Sequence, residues 1–134
     1  MGSANAILPG NIIVLNLEMP HMHKCEDKLF VVVCGNPILL LKINTDYEQR
    51  DIARRFKERQ FKLKSSIYSL DHDSYLDCGT AWKDLLTEQE IIAQNPRIIG
   101  ALIPDHKNEV VRLTNISKSI TNYHKRLIRE SMTR

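Results

Sequence analysis

His21, His23 and Cys25 alternate along a polar stretch of the chain, with Asp27 next in line. On an extended backbone a spacing of two sends side chains to one face, so both imidazoles and the thiol would point the same way. Imidazole and thiolate both ligate zinc, which makes His21, His23 and Cys25 a candidate metal set. Three ligands within five residues is compact for one ion, and an exposed polar loop is the plain alternative. The other chemical signal is charge. Between residues 46 and 64, Arg50, Arg54, Arg55, Lys57, Arg59, Lys62 and Lys64 face four acids, Asp46, Glu48, Asp51 and Glu58, so this stretch carries +3, the formal net charge of the whole chain. A basic segment of this kind follows a phosphate backbone by counterion release. The same pattern also describes a solvated loop or a charged helix face.

These residues need elements to hold them. Pro9-Gly10 signals a turn, and Asn11 to Glu18 reads as a strand buried on both sides, with Ile12 and Val14 on one face and Ile13 and Leu15 on the other. Residues 19 to 27 form the connecting loop. Leu29 to Cys34 and Ile38 to Ile43 are β-rich runs separated by Gly35-Asn36-Pro37, which predicts an antiparallel hairpin. Residues 46 to 62 suit either a helix, from the spacing of Ile52 and Phe56, or a mobile arm. Ile67 to Leu70 and Ser74 to Cys78 read as two further strands around the turn Asp71-His72-Asp73. Thr87 with Glu90 matches a capping box for a helix over 88 to 94, ended by Asn95-Pro96. Arg97 to Leu102 is a short apolar segment. Val110, Leu113, Ile116, Ile120, Tyr123 and Leu127 recur at three and four, predicting one long amphipathic helix from about 107 to 130.

Strands first and helix last, with short connections, predict a mainly β (α+β) chain: a small, strongly bent antiparallel sheet closed by a long C-terminal helix. A length of 134 residues suits one domain, taken as 4–134, with Met1-Gly2-Ser3 resembling an expression scar and 46–66 a basic insertion or arm. An apolar content of 43% and a charged content of 26% are those of a globular protein and exclude wholesale disorder. Uninterrupted apolar runs fall far short of the roughly 20 residues that span a bilayer, so the expectation is a cytoplasmic protein with no membrane partner. Cys25, Cys34 and Cys78 are an odd, dispersed set that fits reduced thiols better than a disulfide framework.

In this order the motifs resemble the MazF/PemK toxin family. Pro9-Gly10-Asn11-Ile12 stands where that family opens with Lys-Gly-Asp-Ile-like residues. The loop His21 to Asp27 stands at its Gly-His-Glu-Gln loop, and Lys28-Leu29-Phe30-Val31-Val32-Val33 at its Arg-Pro and Val-rich strand. Ile43-Asn44-Thr45, Asp73-Ser74-Tyr75-Leu76-Asp77-Cys78 and Ile98-Ile99-Gly100-Ala101-Leu102 resemble later segments, and Ile116-Ser117-Lys118-Ser119 falls in the closing helix.

The resemblance implies an SH3-like barrel, a homodimer, an antitoxin protein as partner, and cleavage of single-stranded RNA with no metal and no cofactor. Such cleavage requires a base for the 2′-hydroxyl, a cation for charge developing on phosphorus, and a proton for the departing 5′-oxygen. By position in the family pattern, Asp77 would be base or positioning group, His21 or His23 a proton carrier, Lys28 the cation, and Asn44 and Thr45 hydrogen-bonding groups for phosphate or ribose. Arg50, Arg54 and Arg55 would bind the RNA backbone, and Tyr75 would stack a base. Two departures stand out: Lys28 replaces the family arginine, and a lysine cannot reproduce a bidentate guanidinium grip on phosphate. Tyr75 replaces a second arginine. A barrel that has lost catalysis and binds protein or nucleic acid is therefore the alternative.

Overall fold

A computed structural model of the protein describes residues 7–17, 26–44, 60–83 and 88–133. The chain is α+β, with a curled antiparallel sheet forming a half-barrel and helices at the C-terminal end. The strands are β1 (Asn11–Leu17), β2 (Glu26–Gly35), β3 (Ile38–Asn44), β4 (Gln60–Leu63), β5 (Ser74–Asp77), β6 (Trp82–Lys83) and β7 (Arg97–Ala101). Their order across the sheet is β4-β5-β3-β2-β1-β7, with β6 also paired to β3. The helices are α1 (Ser65–Tyr68), α2 (Glu88–Gln94), α3 (Pro104–Ile116) and α4 (Asn122–Met132).

The first three strands follow the apolar pattern closely. Gly10 has φ +96°, a conformation that costs a residue without a side chain little, and it sits where three backbones meet. Its N–H donates to Val32 O at 2.6 Å and its carbonyl accepts from Leu102 N at 2.8 Å, tying the start of β1 to β2 and to the end of β7. β2 and β3 form the expected antiparallel hairpin, Phe30 opposite Lys42 and Val32 opposite Leu40, with a register shift between Val32 and Cys34. Another shift falls between Ile12 and Ile13 where β1 meets β7. Shifts of this kind bend a strand and increase its twist. The far edge of β3 then changes partner, from β6 at Leu39 and Leu40 to β5 at Ile43 and Asn44. That change of neighbour turns the sheet through its corner.

The central strands β1, β2 and β3 bury apolar residues on both faces, which explains the two-sided apolar runs. One face, carrying Ile12, Val31, Leu41, Ile43 and Leu76, packs with Val110, Ile120, Ile128 and Met132 from the C-terminal region. The other carries Ile13, Leu15, Phe30, Val32 and Leu40 and is covered by Ile91 of α2. Where β1 runs beyond its pairing with β7, the Gln94 side chain stands in for a strand. Asn16 N–H donates to Gln94 Oε1 at 3.1 Å, and Gln94 Nε2 donates to Asn16 O at 2.8 Å.

Three expectations are corrected. The single helix over 107 to 130 is two helices, because Ser117 leaves the helical conformation (ψ 139°) and spends its side chain elsewhere. Ser117 Oγ donates to the buried Gly79 O at 2.7 Å and accepts from Ser119 N at 3.1 Å, while Thr121 Oγ1 accepts from His124 N to start α4. Closure by one long helix is thus replaced by a pair of helices with a break anchored to the β5–β6 turn. Ile67 to Leu70 is not a strand: Ser65–Tyr68 is one helical turn ended by Ser69 in the left-handed region at φ 54°. The helix considered over 46 to 62 does not reach its last residues, since Gln60–Leu63 is a strand paired along its length with β5.

α1 is held by Asp73, whose Oδ1 accepts from Ser65 N at 2.8 Å and Ser65 Oγ at 3.1 Å. These bonds, chiefly the backbone one, and then Lys62 hold the Asp73 carboxyl below its ordinary value. A lowered carboxyl adds stability above the ordinary aspartate range and loses it as pH falls through the lowered value. The melting temperature of Asp73→Ala should accordingly lie below that of the parent at about pH 6, with the gap closing as pH drops well under about 3.9, the usual Asp value. A gap constant with pH in thermal melts would refute the assignment.

Candidate functional site

Strand alternation decides which residues share a face. On β5, Leu76 points into the main core, so Tyr75 and Asp77 lie on the opposite face. On β3, Leu39, Leu41 and Ile43 point into that core, so Lys42 and Asn44 share the face of Tyr75 and Asp77. On β2, Phe30 and Val32 belong to the second cluster, and Lys28 continues their side. Pairing arranges these residues in two rows. Asn44 is opposite Tyr75 and Tyr75 opposite Lys62; extending the β2–β3 register by two places Lys28 opposite Asn44. In the next row Asp77 is opposite Gln60, and Lys42 is opposite Phe30.

Four of the candidates read from the sequence, Lys28, Asn44, Tyr75 and Asp77, are thereby brought onto one face of one sheet, all partly buried. His21, His23, Cys25, Thr45, Arg50, Arg54 and Arg55 lie outside the described residues. Among the described residues no group of three or more His, Cys, Asp or Glu is placed to hold a metal ion. Lys42 and Gln60 are site residues not singled out beforehand. The period of two along β3 carries the signal for Lys42, which shares the parity of Asn44. Gln60 required knowing that β4 exists.

Asp77 is held firmly. Its Oδ1 accepts from Gly79 N at 2.8 Å and from Gln60 Nε2 at 3.3 Å. Gly79 is in turn fixed through its carbonyl by Ser117, so the break between α3 and α4 positions the turn that orients the carboxylate. β3 separates β5 from β2, which puts Asp77 and Lys28 roughly 12 Å apart at their backbones given the ordinary strand spacing and rise. Among the described residues, Gln60 Oε1 and Trp82 Nε1, both buried on this face, have no hydrogen-bond partner. Unsatisfied buried groups are uncommon, and here they are an acceptor on Gln60, beside Asp77, and a donor on Trp82, opposite Leu40 of β3.

Cys78 follows Asp77 in the chain but faces the main core. Burial, then the nearby carboxylates of Asp77 and Glu109, push its thiol far up from the ordinary value. A thiol held protonated is a poor nucleophile, so Cys78 is a packing residue.

The fold and this face together define an α+β half-barrel with a lysine-bearing polar sheet surface around a fixed carboxylate. Searches of the chain against protein-family models and against curated proteins find no match. Among the described residues no helix is long and apolar enough to cross a membrane.

Proposed function

We propose that this sheet face binds single-stranded RNA and cleaves it without a metal, in the manner of the toxin endoribonucleases that the sequence resembles. One observation supports the reading above others: Lys28, Asn44, Tyr75 and Asp77, far apart in the chain, share one face with Lys42 and Lys62. In the proposed reaction Asp77 takes the proton of a 2′-hydroxyl, and the freed oxygen attacks the adjacent phosphorus. The P–O5′ bond breaks, and the departing 5′-oxygen takes a proton from water while Asp77 returns its own to water. The products are a 2′,3′-cyclic phosphate and a 5′-hydroxyl, so every atom is accounted for. Lys28 and Lys42 neutralise charge on the phosphorane as it develops. Asn44 hydrogen-bonds phosphate or ribose, and Tyr75 stacks a base. An SH3-like barrel ancestry, a homodimer and an antitoxin protein as partner belong to the same proposal.

The test is incubation of purified protein with RNA of diverse sequence in EDTA. Fragments ending in 2′,3′-cyclic phosphate are expected, and intact RNA at high protein excess over many sequences would overturn the proposal. The second reading, a barrel that binds RNA or protein without cutting, rests on a specific feature. Asp77 Oδ1 already accepts two hydrogen bonds, from Gly79 N within the 77–79 turn and from Gln60 Nε2 on β4, as a purely structural aspartate does. RNA retained on the protein but never cleaved would select that reading.

A further inference from the structure

At the other end of the sheet, about 20 Å from Lys28 at the ordinary rise per residue, lies a cavity of about 600 Å³ between the β2–β3 turn, α3 and α4. Its volume is that of a small-molecule site. Leu8, Pro9 and Leu127 give it apolar walls, and Leu8 leaves a large side chain mostly exposed there. Three polar side chains lining it can donate to an anion: the Lys107 ammonium, which only donates, and the Asn36 amide and Ser131 hydroxyl, which can also accept.

Lys107 is the centre of the case. Its stem is laid over Gly10, with Cδ and Cε 3.5 Å from where a β-carbon on that residue would stand. The side chain is half-buried, and its ammonium has no acidic partner among the described residues. A cation with its stem packed on backbone keeps less freedom than a solvated lysine, so an anion meeting it there loses less entropy on binding. Glu130, the acidic lining residue, is exposed at the rim.

We infer that this cavity binds a small amphipathic monoanion, its carboxylate or sulfonate on Lys107 and its apolar body against Leu8, Pro9 and Leu127. The site is separate from the Asp77 face, and the inference does not depend on ribonuclease activity.

The probe is 8-anilinonaphthalene-1-sulfonate, followed by its fluorescence on the folded, full-length protein. Saturable binding at one site is expected, displaced by octanoate and not by octylammonium. Lys107→Met keeps the stem and removes the charge, and should weaken binding about tenfold, the scale of one charge-assisted hydrogen bond. Glu130→Gln should tighten it about two- to threefold by removing a like charge at the rim. Ser131→Trp, which fills the cavity from its wall, should abolish it. Binding that survives Ser131→Trp would be adsorption elsewhere and would overturn the inference, as would indifference to Lys107→Met, displacement by octylammonium in preference to octanoate, or no binding at all.

Discussion

Asp77→Asn is expected to lower cleavage of single-stranded RNA by about two to four orders of magnitude, the usual contribution of a positioned general base. The amide is chosen because it separates chemistry from architecture. An asparagine keeps an Oδ1 able to accept from Gly79 N–H and Gln60 Nε2, so the 77–79 turn and its link through Ser117 to the helix break survive. What is lost is the negative charge and the capacity to take a proton. RNA affinity should hold or rise slightly, since removing an anion from a face with Lys28, Lys42 and Lys62 weakens repulsion of phosphate. Asp77→Ala is the poorer experiment: it leaves the Gln60 amide and the Gly79 N–H without their acceptor and confounds catalysis with stability. Single-turnover cleavage and filter binding, read side by side for Asp77→Asn, distinguish the cases. A variant that cuts as fast as its parent would reduce Asp77 to a turn residue.

The part of this face that was legible in the sequence is the part governed by local rules. β1, β2 and β3 are long, β-branched and bounded by Gly10 and by Gly35-Asn36-Pro37, and their alternation fixes which side chains share a side. The helix over 88 to 94 likewise has the expected bounds and stop, Asn95 lying in the left-handed region at φ 50°, while Thr87 of the capping signal lies outside the described residues. Nonlocal geometry was the part that stayed hidden. The break between α3 and α4 is invisible in the apolar spacing, because Ile116 and Tyr123 continue the three-four pattern although both are largely exposed. Only the bond from Ser117 to Gly79, 38 residues away, explains why the helix stops there. Gln60–Leu63 is four residues at the end of a basic stretch, too short for a periodic signal, and becomes a strand because β5 offers it an edge. Ile67 and Tyr68 have strand-like propensities yet occupy a helical turn, where Tyr68 is buried and hydrogen-bonded to His106 and to Ile103 N. Tertiary partners override weak local preference at each of these places.

The second buried face of the sheet sets the other large expectation. Phe30→Ala should destabilise the protein by about 3–5 kcal/mol, the range for deleting a buried aromatic side chain and leaving its cavity. Phe30 is completely buried, and its cluster is small, with Ile91 of α2 as its fully buried cover. A small cluster has few neighbours able to relax into the space, which favours the upper part of that range. Against a total stability of about 5–15 kcal/mol the loss is severe, and for a chain of this size it corresponds to roughly 10–20 °C in melting temperature. The effect should extend to the site, since Phe30 follows Lys28 on the same side of β2 and stands opposite Lys42 across the hairpin. Without the ring, the floor beneath both cations loosens and their positions relative to Asp77 spread, so RNA cleavage per folded molecule should fall as well. Phe30→Leu, closer in volume, should cost under about 1.5 kcal/mol and retain most activity. Urea unfolding of the three proteins gives the energies. A Phe30→Ala midpoint within experimental error of the parent would mean that this face is not a packed core, and Lys28 and Lys42 would then have no rigid support.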